Sequence, residues 1–111
     1  MLKQILNGRV LTPQGWLEGG SVIIDGNKIL AVSNSDLHIV DAEIIDAKGC
    51  YVVPGGVDLH VHGGGGRDFM EGTEEAFRVA IKAHMKHGTT SIFPTLSSST
   101  VPMIEAACET C

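Results

Sequence analysis

The sequence changes its pattern at residues 54–56, a Pro-Gly-Gly run of the kind that interrupts regular structure. Before this point, short apolar segments follow one another with only turn residues between them, which predicts a small antiparallel β unit over residues 1–54. After it, residues 55–111 alternate between strand and helix patterns, which predicts parallel strands joined by a right-handed crossover. The chain has 111 residues, too few for a complete (β/α)8 barrel, which needs about 250.

The predicted strands of the first part are separated by turn signals. Asn7-Gly8 interrupts the first strand as a turn or a bulge, and Gly26-Asn27 suits a two-residue hairpin loop. The Ala-Lys-Gly segment at residues 47–49 predicts a second hairpin. The strands themselves are expected at residues 5–11, 21–25, 28–32, 43–46 and 50–53.

The second part predicts a strand, a helix, a strand and a helix in turn. The two strands are expected at residues 57–61 and 90–95, and the first helix at residues 73–87. Thr73 is the expected N-cap of that helix, and acidic residues follow it where the helix dipole favours negative charge. Residues 97–100 supply N-cap candidates for the second helix, which reaches the last residue without a C-cap. We therefore expect the chain to be the N-terminal piece of a longer protein.

Charge and composition exclude several classes of protein. The chain has 8 Lys and Arg residues against 13 Asp and Glu, a net charge of −5, without the basic cluster of a nucleic-acid-binding protein. No apolar stretch approaches the roughly 20 residues of a membrane helix, and polar residues interrupt the N-terminus where a signal peptide is apolar. Three cysteines, an odd number, do not make a disulfide framework. These features predict a cytoplasmic protein that binds neither nucleic acid nor membranes.

The strongest chemical signal is the pair His60 and His62 at the end of the predicted strand 57–61. Residues i and i+2 of a strand point to one face, about 6.6 Å apart, so two imidazoles can converge on one metal ion. Parallel α/β folds place their sites at this end of their strands. Asp58 lies on the same face and could orient a ligand histidine through a hydrogen bond. The residues leave one alternative open, namely two structural histidines with Asp58 as a cap or ion-pair partner.

Four consecutive glycines follow the histidine pair: Gly63, Gly64, Gly65 and Gly66. Such a tract could act as a substrate loop, because its backbone can approach a ligand closely and offer amide donors to an anion. It could equally form a flexible linker. The residue that follows is Arg67, so the tract is not a phosphate-binding P-loop, which requires Gly-Lys-Ser/Thr.

Other histidines and cysteines are weaker candidates. His84 is expected as a hydrogen-bonded core histidine of the first helix, and His87 at the C-terminal end of that helix. Cys108 and Cys111 form a Cys-x-x-Cys pair, but the second pair of a structural zinc site is missing. We expect Cys108 to be a small core residue.

Residues 46–63 resemble the opening motif of the metal-dependent amidohydrolase superfamily. They contain Pro-Gly-x-x-Asp-x-His-x-His, which in that superfamily leads from a small β-sandwich into the first strand of a barrel. Two further segments, residues 63–69 and 87–96, are similar to the N-acetylglucosamine-6-phosphate deacetylases of this superfamily. The resemblance implies a small β-sandwich portion over residues 1–54 and the first two β/α units of an incomplete TIM-like (β/α)8 barrel over residues 55–111.

The resemblance also implies an activity for the full-length protein. Such a hydrolase removes acetate from N-acetylglucosamine 6-phosphate, an amino-sugar phosphate, with one or two divalent metal ions (zinc or iron) that polarise water and the acetamide carbonyl. His60 and His62 occupy the first two metal-ligand positions, and the presence of both suggests a second metal position. The other ligands, the catalytic aspartate and the phosphate-binding residues fall after Cys111. We therefore expect no catalytic residue within the chain, no activity of the chain alone, and a homo-oligomer (dimer or tetramer) at full length.

Two other functions stay open. Other amidohydrolases share the His-x-His motif, so a cyclic-amide hydrolase or a deaminase is an alternative, although the glycine tract and the Gly-Thr-Thr-Ser segment at residues 88–91 argue against it. The length also fits a free-standing binding or structural module without catalysis. Such a module predicts a closed sheet, whereas an incomplete barrel predicts an exposed apolar face on strands 56–61 and 90–95.

Overall fold

In a computed structural model, which describes residues 1–34 and 38–111, the chain divides into two compact units at residues 1–54 and 55–111. The described strands of the first unit are β1 (Leu2–Thr12), β2 (Gly15–Asp25), β3 (Lys28–Ser33), β4 (Glu43–Asp46) and β5 (Tyr51–Val52). The second unit consists of β6 (Gly56–Val61), β7 (Gly63–Gly64), β8 (Arg67–Asp68), a 3₁₀ turn (Phe69–Glu71), α1 (Glu74–Met85), β9 (Thr89–Pro94) and α2 (Val101–Thr110).

The first unit is a mixed five-stranded sheet in which β1 pairs with three other strands. β2 is antiparallel to β1, and β3 is antiparallel to β2 across the predicted Gly26-Asn27 turn, which is confirmed. Gln4 of β1 is fully buried, and its amide Nε2 donates to Ser21 Oγ at 2.9 Å. The buried apolar residues of this sheet are Val10, Val22 and Ile23.

The Asn7-Gly8 signal is a bulge within β1. The register against β2 shifts between Ile5 and Gly8, and Asn7 has a φ of 58°, which asparagine adopts more readily than most residues. The Asn7 amide donates to the Asp46 carboxylate at 2.9 Å. β1 therefore continues as one strand on both sides of the bulge.

The predicted hairpin around residues 47–49 is wrong. β4 and β5 each pair with β1, parallel to it, and not with each other. The linker residues Ala47 and Gly49 donate their N–H groups to carbonyl oxygens of β1, each at 2.8 Å, so the chain runs along β1 instead of turning back. The predicted antiparallel arrangement is therefore confirmed only for β1 to β3. The described residues of this unit form one sheet, and the sandwich stays a prediction.

The predicted strand, helix and strand of the second unit are confirmed. β6 and β9 pair parallel, and α1 forms the crossover between them. Thr73 is the N-cap of α1, and its Oγ1 accepts the N–H of Ala76 at 3.3 Å. Phe77 and Ala80 of α1 pack with the fully buried Phe69. The partly buried residues around this core are Val61, Ile81, Ile92 and Leu96.

The second predicted helix is also present, as α2. It follows Thr100 and has Pro102 in its first turn, where the missing N–H costs nothing. Cys108 is exposed, so its predicted place in a core is wrong; Ala107 takes the buried position because consecutive helix residues differ by about 100° in direction. Neither described helix is long and apolar enough to cross a membrane.

The expected exposed apolar face is present on β6 and β9. Val57 is 60% exposed, Leu59 is 70% exposed, and Phe93 of β9 is 57% exposed. The sheet formed by β6 and β9 has two strands among the described residues. The second unit therefore contains two β/α units, and a closed barrel stays a prediction.

Candidate metal centre

The predicted metal-ligand residues His60 and His62 lie at the carboxyl end of β6, and both side chains are exposed. Their ring centres are 5.1 Å apart, and the rings meet edge to face. Two imidazoles bound to one tetrahedral ion through bonds of about 2.0–2.1 Å have ring centres roughly 5 Å apart. The spacing of this pair therefore fits two ligands of one divalent metal ion.

The pair supplies only part of a coordination sphere. Among the described residues, no group of three or more His, Cys, Asp and Glu side chains lies close enough to hold a metal ion. A tetrahedral ion takes four ligands, and catalytic sites commonly use three from protein and one from water or substrate. His60 and His62 therefore fit two of the four positions around a tetrahedral ion.

The backbone on both sides of Val61 is fixed by side chains and by the neighbouring strand. The carboxylate of Asp58 accepts the backbone N–H of His60 at 3.2 Å, so the bond that the structure shows for Asp58 reaches the main chain and not an imidazole. Thr95, directly after β9, accepts the N–H of Val61 on its Oγ1 at 3.1 Å and donates its own N–H to Val61 O at 2.8 Å. These bonds set the position from which both histidine side chains project.

The glycine tract is an ordered hairpin, so the interpretation as a flexible linker is wrong. β7 and β8 pair antiparallel across Gly65 and Gly66, whose φ values of 61° and 81° suit the tight turn of a two-residue hairpin. A Cβ at Gly63 would clash with the carbonyl oxygen of Arg67, which excludes a side chain at that position. The role of this hairpin as a substrate loop stays a prediction.

His84 of α1 holds the first residue of this hairpin. Its Nε2 lies 2.9 Å from Gly63 O, and the side chain is half-buried, which confirms the predicted hydrogen-bonded histidine. A Cβ at Gly64 would approach His84 Nε2 to 2.8 Å. A side chain at this position would therefore have to displace the His84 ring, which its hydrogen bond to Gly63 O holds in place.

Sequence reasoning missed two residues that contact the histidine segment, Thr95 and Ser97. Ser97 Oγ lies 3.3 Å from His62 Nδ1, and Thr95 makes the two backbone bonds described above. The sequence pattern predicts Ser97 only as an N-cap candidate of the second helix. A usable signal was present, because the carboxyl ends of adjacent parallel strands meet at one edge of a sheet and place the residues after them together.

A cleft of about 320 Å³ lies away from this edge. It is lined by residues of the end of α1 and of β9: Ile81, His84, Met85, Gly88, Thr89, Thr90, Ser91 and Ile92. Its walls are mainly apolar, and His60 and His62 are not among them. The candidate site is therefore the exposed end of β6 that carries His60 and His62, and not this cleft.

Comparison with known proteins identifies the family. A sequence profile of the amidohydrolase family matches residues 51–111, more than half of the chain. The dihydroorotase of Syntrophotalea carbinolica is 46% identical over 78 residues, which cover 68% of this chain and 18% of that protein.

Solved structures of related enzymes have the same fold. The N-acetylglucosamine-6-phosphate deacetylase of Pasteurella multocida superposes with a TM-score of 0.91 and 26% identity over 99% of this chain and 29% of its own. The dihydropyrimidinase of Brevibacillus agri NCHU1002 gives a TM-score of 0.61 and 35% identity over 99% of this chain and 24% of its own. The chain thus spans less than a third of each of these relatives. From the profile match, the chain belongs to the amidohydrolase family.

Proposed function

We propose that this chain contributes the first two metal ligands, His60 and His62, to a metal-dependent amide hydrolase. The observation that supports this is the 5.1 Å separation of the two imidazoles at a strand end within the part that matches the family. When bound, a divalent cation supplies Lewis-acid polarisation of an amide carbonyl and acidification of water. Within this chain, hydrogen bonds of Asp58 and Thr95 fix the backbone segment that carries the two histidines.

We further propose that the full-length protein releases acetate from N-acetylglucosamine 6-phosphate, leaving glucosamine 6-phosphate. The TM-score of 0.91 with the Pasteurella multocida deacetylase supports this substrate, because the dihydropyrimidinase covers the same share of the chain at only 0.61. The glycine hairpin at residues 63–68 and the segment 87–96 are the sequence features that support it. Residues for catalysis and phosphate binding belong to the rest of that protein.

A second candidate is hydrolysis of a cyclic amide. The observation that favours it is the 46% identity to a dihydroorotase, since the identity to the Pasteurella multocida deacetylase is 26%. The two candidates differ in the scissile bond: an acyclic acetamide on a phosphorylated sugar in one, and a ring amide in the other.

The substrate is tested by assaying the full-length protein that contains this chain. We expect acetate release from N-acetylglucosamine 6-phosphate and much slower opening of dihydroorotate or a hydantoin. A protein that opens only the ring amides would refute the deacetylase proposal and establish the second candidate.

The ligand assignment is tested by the double variant His60→Ala with His62→Ala in the same full-length protein. We expect the metal content per subunit to fall by part of its total, and kcat/KM to fall by at least about 100-fold, because even residues behind the ligands cost 10–100-fold in metal affinity or activity. His87→Ala, at an exposed histidine after α1, is the matched control and should change neither quantity. Unchanged metal stoichiometry in the double variant would refute the assignment.

A further inference from the structure

We infer that Ser97 is a positioning residue for His62: its Oγ accepts a hydrogen bond from Nδ1–H and so leaves the lone pair on Nε2 for a metal ion. Ser97 Oγ and His62 Nδ1 are 3.3 Å apart. This inference rests on the proposed function, in which His62 is a metal ligand. It adds a second residue of the segment after β9, besides Thr95, to a site whose two histidines lie at the end of β6.

The backbone places Ser97 beside His62. Thr95, two residues before Ser97, makes two hydrogen bonds to Val61, the residue before His62, at 2.8 and 3.1 Å. This pair of bonds fixes the register of the two segments at the point where both leave the sheet. The approach of the serine hydroxyl to the imidazole therefore follows from the main-chain pairing.

The main chain of His62 is also held from its other side. His62 O accepts the N–H of Phe69 at 2.9 Å, and Phe69 is the fully buried centre of the core of this unit. With its backbone fixed on both sides, His62 can change the direction of its ring only by rotation of its side chain. The contact with Ser97 limits that rotation and engages Nδ1.

The chemistry of imidazole determines which of the two groups donates the hydrogen bond between His62 Nδ1 and Ser97 Oγ. A neutral histidine has one N–H and one lone pair, and a serine hydroxyl can either donate or accept. If Nδ1 carries the proton, the hydroxyl accepts and Nε2 keeps its lone pair; if the hydroxyl donates, Nε2 carries the proton and cannot bind a metal. Histidines that bind metals almost always donate from their other ring nitrogen. Donation from His62 to Ser97 is therefore the arrangement that agrees with a ligand role.

The tautomer can be measured directly in the metal-free chain. In water an isolated histidine prefers the proton on Nε2, so a proton on Nδ1 marks the contact with Ser97. With ¹⁵N-labelled histidine at about pH 8, above the ordinary pKa of a free histidine side chain, two-bond ¹⁵N–¹H correlation spectra report the tautomer of each ring. We expect His62, assigned by its loss in His62→Ala, to be the Nδ1–H tautomer in the wild-type chain and in Ser97→Thr, and the Nε2–H tautomer in Ser97→Ala.

Metal affinity gives a second measurement that does not depend on activity. We expect Ser97→Ala to weaken Zn²⁺ binding, measured by competition with a chromophoric chelator, by about 10-fold, whereas Ser97→Thr keeps the affinity within about twofold. Ser99→Ala is the matched control, because the hydroxyl of Ser99 contacts Met103 Sδ at 3.2 Å and not an imidazole. Ser97→Val, which has the shape of threonine without its hydroxyl, repeats the test if Ser97→Ala fails to fold.

The outcomes separate this inference from the proposed function. An Nε2–H tautomer of His62 in the wild-type chain, or the same tautomer in wild type and Ser97→Ala, would overturn the role of Ser97. A tautomer that changes only in Ser97→Ala and Ser97→Val supports that role. If the tautomer changes in this way but the wild-type chain binds Zn²⁺ no more tightly than the double variant of His60 and His62, the Ser97 contact stands and the metal-dependent function fails.

Discussion

Asp46 links three parts of the first sheet through a single carboxylate oxygen. Its Oδ1 accepts the side-chain N–H of Asn7 in the bulge of β1 and the backbone N–H of Lys48 in the linker after β4, each at 2.9 Å. The hydrogen bond from Asn7, followed by that from Lys48, lowers the pKa of Asp46 below its ordinary value. The charged carboxylate therefore stabilises the folded sheet relative to the unfolded chain.

The lowered pKa predicts an acid-sensitive contribution to stability. The contribution is complete above the unfolded pKa of an aspartate, about 4, and is lost as the pH falls through the lower folded pKa. We expect Asp46→Asn to remove this pH-dependent contribution and Asn7→Gly to remove part of it, because the Lys48 N–H still lowers the pKa of Asp46 in the second variant. The double variant should match Asp46→Asn, because no titrating carboxylate is left at position 46. Urea unfolding followed by the fluorescence of Trp16, the single tryptophan, measures this in the first sheet.

Asn7→Gly is the informative partner because it keeps the positive φ of the bulge available while it removes the amide donor. An equally steep loss of stability at acid pH in Asp46→Asn and wild type would contradict the role of this carboxylate.

At the scale of single residues, the sequence predicts which side chains share a face but not what each one contacts. The alternation of β6 places Asp58, His60 and His62 together, and it follows from the period of two alone. The partners of these residues depend on the register between β6 and β9, which shifts twice along the pair. For this reason the bond of Asp58 to the backbone and the contact of Ser97 with His62 could not be predicted.

At the scale of elements, the predictions succeeded where a local signal decides the structure. Gly26 and Asn27 form the predicted turn. The two strands that flank this turn, β2 and β3, pair with each other, so the turn residues alone are enough to specify the hairpin. The Ala-Lys-Gly segment at residues 47–49 carries a similar turn signal, but β1 offers an unpaired edge to both flanking strands. Pairing with β1, which is distant in sequence, therefore determines the structure of this segment. A short stretch of sequence contains no information on such a partner.

The two helices allow a matched test of N-capping. Thr73 caps α1 because its Oγ1 accepts a hydrogen bond from the N–H of Ala76, whereas Thr100 precedes α2 without a side-chain bond to that helix. Loss of a capping hydroxyl costs about 1 kcal/mol. We expect Thr73→Ala to lower the free energy of unfolding of the second unit by about this amount, measured by far-UV circular dichroism in urea, and Thr100→Ala to change it little. Equal losses in the two variants would show that the Thr73 bond does not stabilise α1.

At the scale of the whole molecule, two kinds of similarity point to different relatives. The backbone superposes best, of the structures compared above, with a deacetylase, whereas the higher sequence identity is with a dihydroorotase. The family profile covers both the Pro-Gly-Gly run and β6, and a fold shared by a family does not by itself determine the substrate. The substrate preference must therefore be tested on the full-length protein.

The exposed apolar face predicts how the isolated chain behaves in solution. Leu59 and Val57 project from the same face of β6, opposite to Asp58 and His60, and are 70% and 60% exposed. Burial of one leucine side chain contributes about 1.5–3 kcal/mol, so each such residue in a contact between molecules changes an association constant by roughly 10- to 100-fold. We expect the chain to self-associate through this face, and Leu59→Lys to weaken the association by at least about 10-fold in sedimentation velocity. Val101→Lys is the matched control, because Val101 is 67% exposed but lies on α2. If both substitutions weaken association equally, or neither does, the face on β6 is not the contact surface.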